Sequence, residues 1–555
     1  MAALPPDRDE QLSLEQLSVD QPKKLDNPER FEEMQAPEQP DGPPRPSLDT
    51  LPVEILELIT NELPWPKERT PLTLVNKRLH VTVQQILYKT IVLQWGTKRS
   101  PVQIAELLRS FTNNPQLRSI VKEINIMPCN PFFESSPNAK IPVAGLHEAL
   151  DEIINTVGRG EAETAAMRVV AKAGETRAIM PLLFTILPNL ETLCLNGHIA
   201  AHQDALWAFI LNCLETALRS ANPEAPKHPF ASLKHVRLSL NYHWGHNDIT
   251  MGFASTFLSL FYLPRIETLT VHAPYGTPLE WPGTDHLVPK HLRTLQVEAY
   301  RNDGNGIVKM MLKACPGLKT LIWTVIWSED DPEGFSLSEM SSVLHEAPGL
   351  SDRLVLKLDR SYGKGGSLFG PRLIHIQNPE DFVTGELTLA PLMHIKWLAL
   401  TWVHLFGLAP SEDLQLGPST FPPDLECLSI RATGLVTQEH LFWKLFDRVL
   451  AARNFLDTCH LYAPKLREVD FGISVFAEHP LEDRIRRDLE HAGRAQGVNI
   501  VFHPLCFNPL RSVPARGDGQ VLPEDWKWAV PSDEPSDDEE DENEDEDGLE
   551  IDEMD

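Results

Sequence analysis

Cysteine is scarce in this chain. Seven residues in 555 (Cys129, Cys194, Cys213, Cys315, Cys427, Cys459 and Cys506) stand far apart, with no Cys-x-x-Cys pair. That spacing excludes a zinc ribbon and a disulfide framework, and it suggests reduced thiols in an intracellular protein. Long apolar runs are missing too: nothing approaches the roughly eighteen residues of a membrane span. The opening MAALPPDRDEQ has neither the basic nor the apolar stretch of a secretory signal. No GxxxxGK[ST], HExxH or GxSxG occurs. The glycine-rich YGKGGSLFG from residue 362 lacks the Lys-Ser/Thr ending of a phosphate cradle and reads as a solvent loop. His243 and His246 flank Trp244-Gly245 without a nearby cysteine or third ligand, and they too read as loop. The sequence therefore offers no catalytic constellation, no metal site and no cofactor. It also lacks a basic stripe interleaved with aromatics, so nucleic acid is not an expected partner.

Positive charge is thin at both ends. Residues 531–555 hold 16 acidic side chains and no basic one, and residues 1–50 hold 12 acidic and 5 basic. Of the net charge of −29, these tails carry −16 and −7, which leaves −6 for the 480 residues between them. Residues 1–46 are rich in Pro, Glu, Asp and Gln, cannot offset the entropy of ordering, and are expected to be disordered. Residues 511–555 read as a disordered acidic tail, kept solvated by its own repulsion. The tail reads first as a solubilising segment and second as a handle for basic partners. Ser536, followed by Asp537-Asp538-Glu539, fits an acidophilic-kinase site.

What is present is an ordinary globular middle, with 42% hydrophobic and 23% charged residues overall. It begins with SLDTLPVEILELITNELPWPKERTPLTLVNKRLHVTVQQILYKTIVL, residues 47–93. Leu51-Pro52 opens a helix, with Glu54 favourably placed in its first turn. Ile55, Leu56, Ile59 and Leu63 recur at helical spacing until Pro64 stops them. Thr70-Pro71 reads as the start of a second helix, carried on by Leu74, Val75, Leu79, Val83, Ile86 and Leu87 across a break near Asn76-Lys77-Arg78. So small a segment buries so many apolar side chains poorly without a partner. The plain alternative is an ordinary helical hairpin whose leucines form its own core.

The pattern LPxEIL…I…L…LxLVNKRLH…LYxxIxL resembles the F-box in the form common among fungal proteins. That resemblance implies docking on the small Skp-type adaptor of cullin-based ubiquitin ligases, through Leu51, Pro52, Ile55, Leu56, Ile59, Leu74, Val75 and Leu79. Many F-boxes carry a tryptophan shortly after the last helix; Leu87-Tyr88 stands there instead. The following PVQIAELLRSFTNNPQLRSIVKEINI, 101–126, reads as a helix, an Asn-Asn-Pro stop and a strand, which is also similar to fungal relatives.

From residue 187 a loose Leu-x-x-Leu-x-Leu repeat sets in, each copy ending in strand-like alternation. Its first anchors are Leu190, Leu233, Ile266, Leu292, Leu318, Ile395, Leu425 and Leu466, separated by 43, 33, 26, 26, 77, 30 and 41 residues. A shifted copy, PGLSDRLVLKL from 348, lies in the longest gap. Helical patterns fall between copies, at 204, 254, 307, 438 and 481. Strand and helix in alternation, each unit needing a neighbour to cover it, predict a leucine-rich-repeat solenoid; a doubly wound α/β sheet is the competing layout. The expected fold class is thus α/β: a helical F-box-like module at 47–93, a helical and strand connector at 94–186, and an irregular repeat domain at 187–510 between disordered tails.

The function expected from this layout is a non-enzymatic substrate-recognition adaptor of a Skp–cullin–F-box ubiquitin ligase in the cytoplasm or nucleus. The repeat domain would hold an unidentified protein client, with no membrane involved. The alternative is a leucine-rich scaffold or regulator with an acidic tail, acting without ubiquitination. That layout resembles Ran GTPase-activating proteins and the acidic leucine-rich nuclear phosphoproteins.

Overall fold

The computed structural model describes residues 48, 51–63, 69–95, 100–128, 140–157, 161–196, 230–239, 257–273, 289–328, 335–347, 349–361, 383–407, 416–417, 419–431, 445–472 and 482–503. The chain divides into two compact units, Met1–Thr82 and Val83–Asp555. The first holds helix α1 (Val53–Glu62), a 3-10 turn (Thr70–Leu74) and the start of helix α2 (Lys77–Lys89). No described helix is long and apolar enough to cross a membrane.

The second unit is a mixed α/β structure on one large parallel sheet. Its strands are β1 (Thr90–Trp95), β2 (Glu123–Pro128), β3 (Thr192–Asn196), β4 (His235–Ser239), β5 (Thr268–Ala273), β6 (Thr294–Tyr300) and β7 (Thr320–Ser328). After β8 (Phe335–Ser336) come β9 (Arg353–Ser361), then β10 (Val383–Thr384), β11 (Trp397–Thr401), β12 (Cys427–Arg431), β13 (Glu468–Gly472) and β14 (Asn499–His503). Twelve of these pair side by side in chain order, while β8 and β10 pair only with each other. A doubly wound sheet reverses its strand order at a switch point; this order runs from β1 to β14 without reversal. The sheet begins at Thr90, upstream of the first Leu-x-x-Leu-x-Leu copy, and β2 belongs to the stretch read as a connector.

Alternation within each strand explains the core. All eight anchors are buried, from Ile266 at 0% exposed to Leu466 at 7%. The second apolar position of each copy forms a continuous row across the sheet: Ile124, Leu193, Val236, Leu269, Leu295 and Leu321 stand in register, and the row runs on through Leu354, Leu398, Leu428 and Val469. These residues belong to one core spanning Ile91 to Val498. In the shifted copy the spacing from Leu350 to Leu354 is one residue longer than that from Leu318 to Leu321, yet Leu354 still pairs with Leu321.

A second repeating device sits where each strand begins. One carbonyl there accepts both leading amides of the next strand; Lys122 O, for example, accepts from Glu191 N at 2.7 Å and Thr192 N at 2.9 Å. The carbonyls of Glu191, Lys234, Glu267, Arg293, Lys319, Asp352, Lys396 and Glu426 do the same. This satisfies amides that would otherwise be orphaned at strand entry.

Helices cover the core-facing side. Helix α3 (Ser100–Asn113) buries Ile104, Ala105, Leu108 and Phe111 at helical spacing and stops at the Asn-Asn-Pro signal. Further helices are α4 (Gln116–Ile120), α5 (His147–Val157), α6 (Glu161–Lys172), α7 (Thr176–Thr185) and α8 (Arg301–Ala314), which buries Ile307, Val308, Met311 and Leu312. Beyond them lie α9 (Leu337–Leu344), α10 (Trp402–Phe406), α11 (Leu445–Tyr462) and α12 (Glu482–Ala495). The 254 pattern, expected to be an α-helix, is the six-residue 3-10 segment Phe257–Tyr262; so short a run next to Pro264 suits the tighter pitch of a connector. The 204 pattern, the two tails, the 362 glycine run, and His243 and His246 lie outside the described residues.

Candidate functional site

The first unit is tied together by short local bonds. Pro52 lacks an amide but contributes its carbonyl, which accepts from Ile55 N and Leu56 N, each at 3.1 Å. Glu54 lies in the first turn of α1, where the helix dipole favours its charge. At the other end Leu63 N donates to Thr60 O, while the buried Thr60 hydroxyl donates back to Leu56 O at 2.7 Å. Arg69 Nε donates to Leu63 O at 2.8 Å and so fixes the chain as it re-enters. The break expected near Asn76 is a helix start: Asn76 Oδ1 accepts from Leu79 N at 2.7 Å, the capping geometry that favours Asn at this position. His80 Nδ1 lies 3.2 Å from Thr73 O and links α2 to the 3-10 turn.

These bonds hold an apolar surface open to solvent. Of the eight residues singled out in the sequence, Leu56 and Leu79 are buried, at 1% and 2% exposed. Leu51 is half-buried and Pro52 is exposed. Ile55, Ile59, Leu74 and Val75 are exposed, with Leu74 at 84% and Val75 at 57%. Three further exposed apolar side chains, Val53, Leu58 and Val81, join them. Val53 lies three residues before Leu56 and Leu58 three after Ile55, so their helical spacing was readable, whereas Val81, two residues past Leu79, falls off it. Scattered apolar residues on a surface need no explanation; here seven are exposed between Val53 and Val81.

A cavity of about 500 Å³ is lined by Ser338, Ser341, Ser342, His345, Gly385, Glu386 and Thr388. Several of its polar groups are engaged in structure: Ser341 Oγ donates to Leu337 O and accepts from Thr388 N, both at 2.8 Å. Ser338 Oγ accepts from Glu386 N, and His345 Nε2 lies 3.0 Å from Thr388 O. On the sheet face away from the helices, Arg353 lies over the Trp397 ring at 3.8 Å. Burial brings the Arg353 pKa down to about 10, which leaves it charged at neutral pH. Beside it Arg431 Nη2 and Ser429 Oγ both donate to Asp470 Oδ2. Burial pushes the Cys194 and Cys315 thiols up to about 12, so neither supplies a thiolate nucleophile. Among the described residues no three metal-ligating side chains come together, and Ser536 lies outside them.

No protein-family profile matches the chain, and no curated protein is significantly similar to it. A solved yeast complex of Rad7 and Elc1 matches 77% of this chain and 93% of its own, at 12% identity and a TM-score of 0.25. A superposition that loose carries no argument about fold or function.

Proposed function

We propose that this chain recruits client proteins to a Skp–cullin–F-box type ubiquitin ligase, docking its N-terminal helices on the small adaptor subunit. In this reading the parallel α/β unit is an irregular leucine-rich-repeat solenoid that presents a client, and the chain itself makes and breaks no covalent bond. Its contribution is proximity, which converts an encounter into an effectively intramolecular transfer. It would act in the cytoplasm or nucleus.

The single observation that carries this reading is the exposed apolar set Val53, Ile55, Leu58, Ile59, Leu74, Val75 and Val81, set in a Leu-Pro-x-Glu-Ile-Leu frame. Burying one such side chain gains about 1.5–3 kcal/mol. A few of them offset the cost of association, which runs to roughly 4–15 kcal/mol. The repeat reading is supported by the unreversed strand order and by the eight buried anchors.

The test is co-purification of the full chain with a Skp-type adaptor. Leu74→Asp/Val75→Asp and Leu51→Ala/Pro52→Ala are each expected to abolish recovery. Undiminished recovery by both variants would sink the docking assignment.

A further inference from the structure

The nine carbonyls that bridge strand starts belong to charged residues, and their signs follow a rule. From Lys122 through Glu191, Lys234, Glu267 and onward to Glu426 and Arg467, eight of nine neighbouring pairs are opposite in charge. Opposite charges on adjacent strands stabilise the pairing and like charges destabilise it. Where the alternation holds it makes real contacts: Glu191 lies 2.9 Å from Lys122 and 3.1 Å from Lys234, and these two cations hold its carboxyl below the usual range.

Two joints carry like charges: Lys89 beside Lys122 at the starts of β1 and β2, where Glu191 answers Lys122 at 2.9 Å, and Arg293 beside Lys319 at the starts of β6 and β7. Thr294 pairs with Thr320, so Arg293 and Lys319 stand on adjacent strands about 4.8 Å apart at the backbone. Both are exposed, and neither makes an ion pair among the described residues. More positive side chains gather at the same place: Arg265 precedes the β5 anchor and Lys290 precedes the β6 anchor, together with His291, all exposed. In the next repeat the corresponding position is Gly317, and the space where a side chain would stand is open.

We propose that the Arg293–Lys319 joint is a docking site for a short Asp/Glu-rich segment of a partner protein. A like-charged joint inside the sheet, with neither cation ion-paired among the described residues, marks a position open for binding. Carboxylates laid across Arg293 and Lys319 would restore the alternation that the chain itself omits. The patch covers about three strand starts, roughly 10 Å, which fits a few acidic side chains. A chain of net charge −29 repels a long polyanion such as duplex DNA. The proposal is independent of the adaptor reading, because it involves no residue of the N-terminal helices.

The experiment is fluorescence anisotropy of a short labelled peptide of alternating Glu and Ser, titrated with the full chain at low and at physiological salt. Wild type is expected to bind, more weakly as salt rises. Arg293→Gln/Lys319→Gln is expected to lose about tenfold in affinity, with a thermal midpoint at or above wild type. Lys122→Gln/Lys234→Gln, which removes equal charge from cations already paired with Glu191, is expected to bind as wild type does. Absence of binding, equal losses in both double variants, or a lowered midpoint in the first would overturn the site. Duplex DNA binding as tightly as the peptide would overturn its preference for protein. A marked gain in affinity when the Asp and Glu of 531–555 are replaced by Asn and Gln would reassign the occupant to the chain's own tail, and so would also count against the proposal.

Discussion

Thr401 Oγ1 and His404 Nδ1 lie 2.5 Å apart in the core, where His404 meets the Phe335 ring edge-on at a centroid distance of 5.8 Å. Burial outweighs the Thr401 hydrogen bond and brings the His404 pKa down from 6.5 to about 4. Between those two values the unfolded chain binds a proton that the folded chain refuses. Above pH 6.5 the residue contributes no pH dependence; as pH falls from 6.5 towards 4, stability declines by about 1.4 kcal/mol per unit. Denaturant midpoints at pH 7 and pH 5 check this, with His404→Phe as reference. An equally steep decline in the variant would remove His404 as the cause.

The N-terminal helices separate residues that hold the unit from residues that face outward. Leu56→Ala and Leu79→Ala, at buried positions, are expected to destabilise that unit by about 2–5 kcal/mol. Leu74→Ala, at a highly exposed position, is expected to change stability by no more than about 0.5 kcal/mol. Hydrogen-exchange protection of α1 and α2 amides reports both. Comparable loss of protection in all three variants would contradict the assignment of Leu74 to an open surface.

Two copies of the same Pro-Gly-Leu triplet should respond oppositely to one methyl group. A Cβ on Gly349 would fall 1.8 Å from the Pro316 carbonyl oxygen, whereas one on Gly317 would meet nothing within 4 Å. Gly349→Ala must move backbone, at a cost of about 1–3 kcal/mol; Gly317→Ala is expected to be neutral or slightly stabilising. Thermal midpoints of the two variants settle the comparison, and equal midpoints would mean the two strand entries are not packed as described.

Asp470 organises the sheet face near β12 and β13 by accepting from both Arg431 and Ser429. Asp470→Asn removes the charge that Arg431 answers and is expected to cost about 1.5–3 kcal/mol. Ser429→Ala should cost less, since it removes a neutral donor. The double variant should fall short of the sum, because both bonds end on the same oxygen. Strict additivity in chemical denaturation would mean that the two contacts act separately.

Much of the fold was legible because the Leu-x-x-Leu-x-Leu frame fixes both which side chains are buried and where each strand begins. Leu190, Leu292 and Leu425 were readable as anchors, and all three are buried. β1 was not legible: Ile91-Val92-Leu93 is a short apolar run that continues the α2 pattern, and periodicity cannot tell a strand from a helix over three residues. β14 was missed because its anchor is Val498, after a glycine turn at Gly497 with φ of 72°, and it lacks the leucine that marked the other copies. At the candidate docking surface the sequence named Leu56 and Leu79 along with their exposed neighbours. Spacing identifies an apolar face but does not separate residues that close a helix pair from residues that stay in water. The charge alternation was readable in LETL, LKHV, IETL and LRTL, yet it acquires meaning only once Arg293 and Lys319 are known to stand side by side.

The shared carbonyls at the strand starts give this sheet no keystone. Each strand is fastened to the one before and the one after, and Ile91 on the first and Ile500 on the last are joined only by relay. Pulled by its two ends, such a molecule should come apart like a zipper, in a train of small force steps. Damage to one link would be felt by its immediate neighbours and barely at all farther along.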